Sequence, residues 1–202
     1  MIKVAVFVSG RGSNLQAVLN SQKLKKLIVV DSVISDKKDC KAFQIASENS
    51  IEFFSLGDAE GFISYSSLAD FLKSRDVDLI VLAGFLKLIP NPVIREFKNR
   101  IINIHPALLP AFGGKGMYGM NVHKAVLNSS AKVSGATVHF VDDTYDTGKI
   151  IAQRKVDISD LDSAEAIAER VLKIEHELLP DVIEKFASNK IIFNNNKVEV
   201  LN

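Results

Sequence analysis

Three polar residues in the second half of the chain have the types and the spacing for acid–base chemistry on a carbonyl group. Asn103 and His105 lie two residues apart, after a run of apolar residues. Because side chains alternate along a strand, both point to one face, and an amide beside an imidazole can polarise a carbonyl and move a proton. Asp146, in the acidic turn at 142–148, could pair with His105 and orient its ring. Taken singly, a histidine that caps a loop and an acidic turn are the alternative interpretations.

A turn near the start of the chain could bind an anion. Gly10 and Gly12 are followed by Ser13 and Asn14, where a helix is predicted to begin. Glycines let the backbone turn sharply and approach a ligand closely, and the N–H groups and dipole of a helix start attract phosphate. The segment is not a Walker A motif, and Leu15 occupies the third glycine position of a dinucleotide fingerprint. A plain strand-to-helix turn is the alternative.

The remaining titratable residues suggest neither a metal nor a covalent intermediate. His123 and His176 lie on predicted helices, and no pair of histidines has metal-ligand spacing with cysteine or carboxylate. His139 could support the site or simply pack. Cys40 is the one cysteine of the chain, which excludes an internal disulfide and suits a cytoplasmic protein. The apolar run at 4–8 is too short for a signal peptide or a membrane span.

The predicted strands and helices that position these residues indicate an α/β protein. Short apolar runs alternate with amphipathic segments through the first half, which predicts a doubly wound, mostly parallel sheet flanked by helices, with a Rossmann-like N-terminal half. The predicted strands are 4–8, 27–35, 51–56, 79–83 and 101–104, and the predicted helices are 14–22, 41–48 and 64–74.

The second half of the chain does not continue the alternation of strands and helices seen in the first half. Residues 106–119 predict a loop and 122–127 a helix, and 134–141 and 150–156 predict antiparallel strands. A long helix is predicted over 163–186, with Ser163 as its N-cap and Pro180 expected to bend or break it. A C-terminal hairpin is predicted around Asn194, Asn195 and Asn196.

Five motifs, in order and spread over nearly the whole chain, make the sequence resemble the glycinamide ribonucleotide formyltransferase family. They are Ser-Gly-Arg-Gly-Ser-Asn-Leu-Gln at 9–16, Val-Leu-Ala-Gly-Phe-Leu-Lys-Leu-Ile at 81–89, Asn-Ile-His-Pro-Ala-Leu-Leu-Pro at 103–110, Thr-Val-His-Phe-Val-Asp at 137–142 continuing through Asp146 and Gly148, and Glu175-His176 before Pro180. The resemblance implies a single formyltransferase domain over 1–202. Its parts would be a phosphate-binding half (1–100), a catalytic and folate-binding half (101–190) and the C-terminal hairpin (191–202).

The family's activity implies two small-molecule substrates. Formyl transfer would run from 10-formyltetrahydrofolate to the amine of phosphoribosylglycinamide, a step of purine (IMP) synthesis. The residues implied to bind the ribonucleotide are Gly12, Ser13 and Asn14 at its phosphate, and Leu172, Lys173, Ile174 and Glu175 along its ribose. The residues implied to bind the folate are Leu86, Lys87, Leu88, Ile89, Asn103, Asp142, Asp143, Thr144, Tyr145 and Asp146.

The resemblance also implies how catalysis would work. Asn103 and a protonated His105 would stabilise the developing oxyanion, and Asp146 would raise the pKa of His105. No metal is expected. Two features depart from the common pattern of the family. Residues 62–68 lack the basic residue that many members place near the folate, for which Lys87 is a possible substitute, and the glycine-rich loop at 111–120 is long, with Lys115 as a candidate anion contact.

Several other classes of protein share some of these sequence features. Methionyl-tRNA formyltransferase shares the Asn, His and Asp core, but it carries a further C-terminal domain and needs a basic surface for tRNA, whereas the net charge here is +1. Formyltetrahydrofolate hydrolase normally has an additional N-terminal domain. A non-catalytic nucleotide- or folate-binding protein and a dinucleotide-dependent oxidoreductase are the further alternatives. We expect no nucleic-acid or membrane partner, and a monomer or homodimer.

Overall fold

The computed structural model describes residues 1–194 and 197–201. Seven strands form a mostly parallel sheet in the order β3-β2-β1-β4-β5-β6-β7, and two more form a small antiparallel sheet, so the predicted fold class is confirmed. The strands are β1 (Ile2–Val8), β2 (Ile28–Ser35), β3 (Glu52–Ser55), β4 (Leu79–Leu82), β5 (Ile101–His105), β6 (Val133–Phe140), β7 (Ile150–Asp157), β8 (Ile191–Asn194) and β9 (Lys197–Val200). The helices are α1 (Ser13–Asn20), α2 (Ala42–Glu48), α3 (Leu68–Ser74), α4 (Asn91–Glu96), α5 (Met120–Asn128) and α6 (Ala164–Ala187).

The first of two compact units, Met1–Asn103, is built around β1. Strand β1 pairs in parallel with β2 on one side and with β4 on the other, so that Val6 lies opposite Val33 and Val81. Val4 through Val8 are fully buried, which explains why these five positions of the strand are all apolar rather than apolar at alternate positions only.

The second unit begins at Ile104 and joins an antiparallel ladder to a long helix. Strands β6 and β7 pair antiparallel, as predicted, and α6 packs against both strands and against α5. Val126, Ile158, Ile167 and Val171 form a buried cluster of this unit. Ser163 caps α6 as predicted, because its hydroxyl accepts a hydrogen bond from the Ala166 N–H at 3.3 Å.

Three helices differ from those predicted from the sequence. Of the bend or break expected at Pro180, the break does not occur. Helix α6 continues through this residue because a proline removes only one backbone donor and this one lies on the buried, packed face of the helix. Helix α3 begins at Leu68 rather than at residue 64. Helix α4 was not predicted, although Pro92 lies in its first turn, where a missing N–H is not needed.

The C-terminal strands pair as predicted. Ile191 lies opposite Val200, and Asn194 lies opposite Lys197. The expected turn residues Asn195 and Asn196 lie outside the described residues.

The turn that leads into β7 depends on a glycine. A Cβ added at Gly148 would overlap with the carbonyl carbon and oxygen of Phe140. That backbone cannot easily move away, because the Phe140 N–H donates to the Lys149 carbonyl at 2.9 Å. The close approach explains why glycine ends the acidic turn.

Replacing this glycine should therefore destabilise the second unit. We expect Gly148→Ala to lower the free energy of unfolding by roughly 2–4 kcal/mol, the range of severe overpacking, in urea unfolding followed by circular dichroism. Gly10→Ala is the control, since a Cβ there meets no heavy atom within 4 Å, and it should change stability by less than about 0.5 kcal/mol. Equal stability of the two variants would contradict the proposed overlap.

Candidate active site

His105 ends β5 as a buried ring with two defined neighbours. Its Nε2 lies 2.9 Å from the carbonyl oxygen of Phe112. Because a carbonyl oxygen only accepts, this nitrogen carries the proton. The other ring nitrogen, Nδ1, lies 3.6 Å from Oδ1 of Asp146, an electrostatic contact slightly longer than a hydrogen bond. The structure therefore brings together the histidine and the aspartate that the sequence singled out.

Asp146 is held by its backbone neighbours as well as by side chains. Its Oδ2 accepts a hydrogen bond from the Gly114 N–H at 2.9 Å, and its side chain is only 10% exposed. The residue has a φ of 58°, a left-handed conformation that aspartate tolerates better than most residues. The turn thus aims a largely buried carboxylate at the end of β5.

His139 is a third member of this cluster. Its Nε2 lies 3.5 Å from Oδ1 of Asp146, and its Nδ1 is 2.8 Å from the carbonyl oxygen of Phe140, to which it donates. From the sequence, His139 could either support the site or simply pack. Alternation along β6, which places residues 137 and 139 on one face, is the signal that could have found it.

Burial and charge act in opposite directions in this cluster. Burial lowers the pKa of His105 below its ordinary value, although the charge of Asp146 and the hydrogen bond to Phe112 act to raise it. For Asp146, burial acts to raise the pKa, but the contact with His139, the charge of His105 and the hydrogen bond from the Gly114 N–H outweigh it and lower that pKa. Asp146 is ionised and His105 is neutral near neutral pH.

The net direction at His105 corrects one expectation. The family resemblance implied a protonated His105 ring whose pKa is raised by Asp146. The attraction of Asp146 has the expected sign, but the removal of the ring from water has the larger effect.

His123 is a further buried imidazole, on α5. Burial, followed by the charge of His105, lowers its pKa to about 4. The residue is 5% exposed, and among the described residues its Nδ1 has no hydrogen-bond partner. The ring is therefore neutral near neutral pH and behaves there as a packing group.

A cavity of about 350 Å³ lies beside Asp146. Apolar Leu109, Pro110 and Ile150 line it together with Tyr145 and Thr147 of the acidic turn. Of the turn residues implied to bind folate, Tyr145 and Asp146 line this cavity.

Asp142 instead organises the turn itself. Its Oδ1 accepts hydrogen bonds from the Thr144 N–H at 3.1 Å and from the Thr147 hydroxyl at 2.8 Å. Thr144 also donates from its hydroxyl to Asp143, at 3.3 Å.

The predicted phosphate turn lies in the first unit. Gly12 precedes α1 with a φ of 80°, and a Cβ there would lie 2.8 Å from the Cβ of Ala42, so both backbone conformation and space require glycine. The Cys40 thiol donates to the Gly10 carbonyl at 3.3 Å. Asn14, in the first turn of α1, is buried.

The segment at 86–89 is tied to the same turn through Ser9. The Leu86 N–H donates to the Ser9 hydroxyl at 3.0 Å, and that hydroxyl donates to Asp36 at 2.6 Å. Leu86 and Leu88 are exposed, whereas Ile89 is part of the core. Only the two leucines of this segment therefore offer apolar surface to a ligand.

The residues implied to contact the ribose lie on α6. Leu172 and Glu175 are three residues apart and share a side of the helix, while the intervening Lys173 and Ile174 point in other directions. Glu175 is buried and Lys173 is exposed.

Within residues 1–194 and 197–201, no three histidine, cysteine or carboxylate side chains are grouped so that they could hold a metal ion. No helix in that part of the chain is both long and apolar enough to cross a membrane.

Comparison with known proteins defines the class of the chain. Residues 2–183 match the model of the family described as formyl transferase. The chain belongs to the formyl transferase family, and the resemblance drawn from its five motifs is confirmed.

Similar proteins within this family are named for one particular formyl transfer. The chain is 45% identical over 203 residues to the chloroplastic phosphoribosylglycinamide formyltransferase of Vigna unguiculata, covering 98% of this chain and 65% of that relative. It is 36% identical over 193 residues to the phosphoribosylglycinamide formyltransferase of Bacillus subtilis (strain 168), covering 92% and 94% of the two chains. The crystal structure of glycinamide ribonucleotide transformylase 1 from Symbiobacterium toebii superposes with a TM-score of 0.88 at 34% identity, covering 100% of this chain and 95% of that one.

The low pKa of His123 predicts that acid destabilises the fold. Unfolding exposes a ring with a pKa of about 6.5, so the unfolded state binds more protons than the folded state. Stability that is present above about pH 6.5 is therefore lost as the pH falls toward the folded pKa of about 4. His123 alone should cost about 2 kcal/mol between about pH 7 and about pH 5.

Urea unfolding at the two pH values measures this loss. His123→Leu should remove about 2 kcal/mol of the pH dependence, whereas Lys124→Gln, an exposed neighbour on α5, should keep all of it. A His123→Leu protein with the pH dependence of the wild type would show that His123 is not the titrating group.

Proposed function

We propose that this chain transfers the formyl group of 10-formyltetrahydrofolate to the amine of phosphoribosylglycinamide, a step of purine (IMP) synthesis. The observation that carries the proposal is the buried pair of His105 and Asp146 beside a cavity of about 350 Å³. Membership of the formyl transferase family and the names of the relatives support the same activity.

The reaction would begin with a neutral histidine. As the glycinamide amine attacks the formyl carbon, the formyl oxygen gains negative charge and the amine nitrogen becomes acidic. The proton of the amine would pass by way of the Asp146 carboxylate, which lines the cavity, to Nδ1 of His105, the ring nitrogen that faces this carboxylate. The carboxylate then stabilises the imidazolium that forms. The bond from carbon to the glycinamide nitrogen forms, the bond from carbon to the folate nitrogen breaks, and the proton passes to that leaving nitrogen.

The formyl oxygen would take the hydrogen bond that Phe112 now receives. In the structure, the His105 Nε2–H donates to the Phe112 carbonyl. Protonation at Nδ1 makes this N–H a stronger donor, and the Asn103 amide would supply a second one. Phe112 has a φ of 56°, an unfavourable conformation for a phenylalanine, which favours release of its carbonyl when the substrate binds.

The binding roles follow the same proposal. Gly12, Ser13 and Asn14 would hold the phosphate at the start of α1, and Leu172, Lys173, Ile174 and Glu175 would line the ribose. The folate would contact Leu86 to Ile89, Asn103 and Asp142 to Asp146. Exposed Leu86 and Leu88, and the apolar walls of the cavity, support this placement.

The domain organisation, partners and cellular location of the enzyme are part of this proposal. We infer one formyltransferase domain over 1–202, divided at about residues 100 and 190 as the motifs suggest, that uses no metal and has neither a nucleic-acid nor a membrane partner. It would act as a monomer or homodimer in the cytoplasm, where the unpaired, buried thiol of Cys40 suits reducing conditions.

A spectroscopic assay of folate product tests the proposal. Purified protein is given 10-formyltetrahydrofolate with and without phosphoribosylglycinamide, and we expect product only when both substrates are present. Product without the ribonucleotide would identify a hydrolase instead. No product in either mixture would leave a binding protein or another acceptor.

The variants His105→Ala and Asp146→Asn test the catalytic roles. Each should lower kcat by about 100-fold to about 10,000-fold, the usual contribution of a positioned acid–base group. Asparagine is chosen at position 146 because it also tolerates the φ of 58°. Asp162→Asn, at an exposed position, is the control and should retain wild-type kcat. Wild-type turnover in either site variant would remove that residue from the mechanism.

A further inference from the structure

The hydroxyl of Thr137 is hydrogen-bonded to its full capacity. It donates to the Ala107 carbonyl at 2.6 Å, and it accepts from the Leu109 N–H at 3.1 Å and from the Gln153 amide at 2.9 Å. A hydroxyl has one proton and two lone pairs, so the three bonds use all of them. Thr137 itself is fully buried.

Gln153 completes the arrangement from the neighbouring strand. It lies directly opposite Thr137 in the ladder of β6 and β7. Its Nε2 donates both to the Thr137 hydroxyl and to the Leu109 carbonyl, the latter at 2.8 Å. The two protons of the amide nitrogen are thus both used, which fixes the orientation of the amide group.

These bonds hold a segment that has no regular structure of its own. Residues 106–111 leave β5 directly after His105 and form neither a helix nor a strand. Leu109 and Pro110 line the cavity, and Phe112 supplies the carbonyl acceptor of His105. The polar groups of Ala107 and Leu109 need partners that a sheet would otherwise supply, and Thr137 and Gln153 supply them.

We propose that Thr137 and Gln153 are positioning residues, whose hydroxyl and amide fix the backbone at Ala107 and Leu109 and thereby set the placement of His105 and of the cavity wall. Neither side chain needs to touch a substrate. The inference rests on the proposed formyl transfer, in which a misplacement of about 1 Å can cost about 100-fold in rate.

Thr137→Val tests the proposal because valine has nearly the same shape and makes none of the three bonds. We expect kcat to fall by about tenfold to about 100-fold, with KM for the ribonucleotide changed by less than about twofold. Thr137→Ser restores the hydroxyl and should restore most of kcat. Gln153→Met removes the amide at an exposed position of β7, with little risk to folding. This variant should also have a lower kcat than the wild type.

Ser134→Ala is the matched control. It removes another buried hydroxyl of β6, one for which the described residues offer no hydrogen-bond partner, and it should leave kcat unchanged. A purely structural role for Thr137 would lower the unfolding temperature without lowering the kcat of the folded protein.

An NMR measurement of the His105 ring, made without substrates, separates this inference from the proposed function. We expect the ring resonances to shift in Thr137→Val and Gln153→Met, and to stay in place in Thr137→Ser and Ser134→Ala. Absence of formyl transfer by the wild type would overturn the proposed function. Shifted His105 resonances in Thr137→Val and Gln153→Met would still support the positioning role of the two residues. Unshifted resonances in both Thr137→Val and Gln153→Met would overturn the positioning role, whatever happens to stability.

Discussion

The buried carboxylate of Asp146 is the constraint on which the candidate site depends. An ionised group with little access to water is costly unless charges and hydrogen bonds compensate it. Its partners come from the end of β5, from β6 and from the backbone at Gly114. A change in any one of these segments leaves the charge less well compensated, so the carboxylate couples the strand ends to the loop that follows His105.

The balance between burial and pairing also sets the charge state of the site. Burial favours neutral forms, and it prevails at His105, whereas hydrogen bonds and neighbouring charge prevail at Asp146. The result is an anion beside a neutral base. Such a pair gains most from its attraction only after the ring has taken up a proton, which is when charge develops in the proposed reaction.

The sequence predicted the parts of this site that depend on side-chain type and missed those that depend on the backbone. Apolar runs located β1, β2 and β4, and the Asn-x-His spacing located the catalytic candidates. The residue types do not predict that the Phe112 carbonyl contacts His105 or that the Gly114 N–H contacts Asp146, because nearly every residue carries these backbone groups. Pro180 was misleading for a related reason: tertiary packing holds α6 together at a position where local propensity predicts a break.

The same backbone contacts limit how the site can move. In the proposed reaction the Phe112 carbonyl must leave His105, yet the chain is held before it at Leu109 and after it at Gly114. If these hydrogen bonds persist, the rearrangement is confined to residues 110–113. Within that short stretch, Phe112 already occupies an unfavourable conformation, and a Cβ added at Gly113 would lie 2.5 Å from the Leu109 side chain. The release of one carbonyl can thus be local, while the segment that places His105 stays fixed.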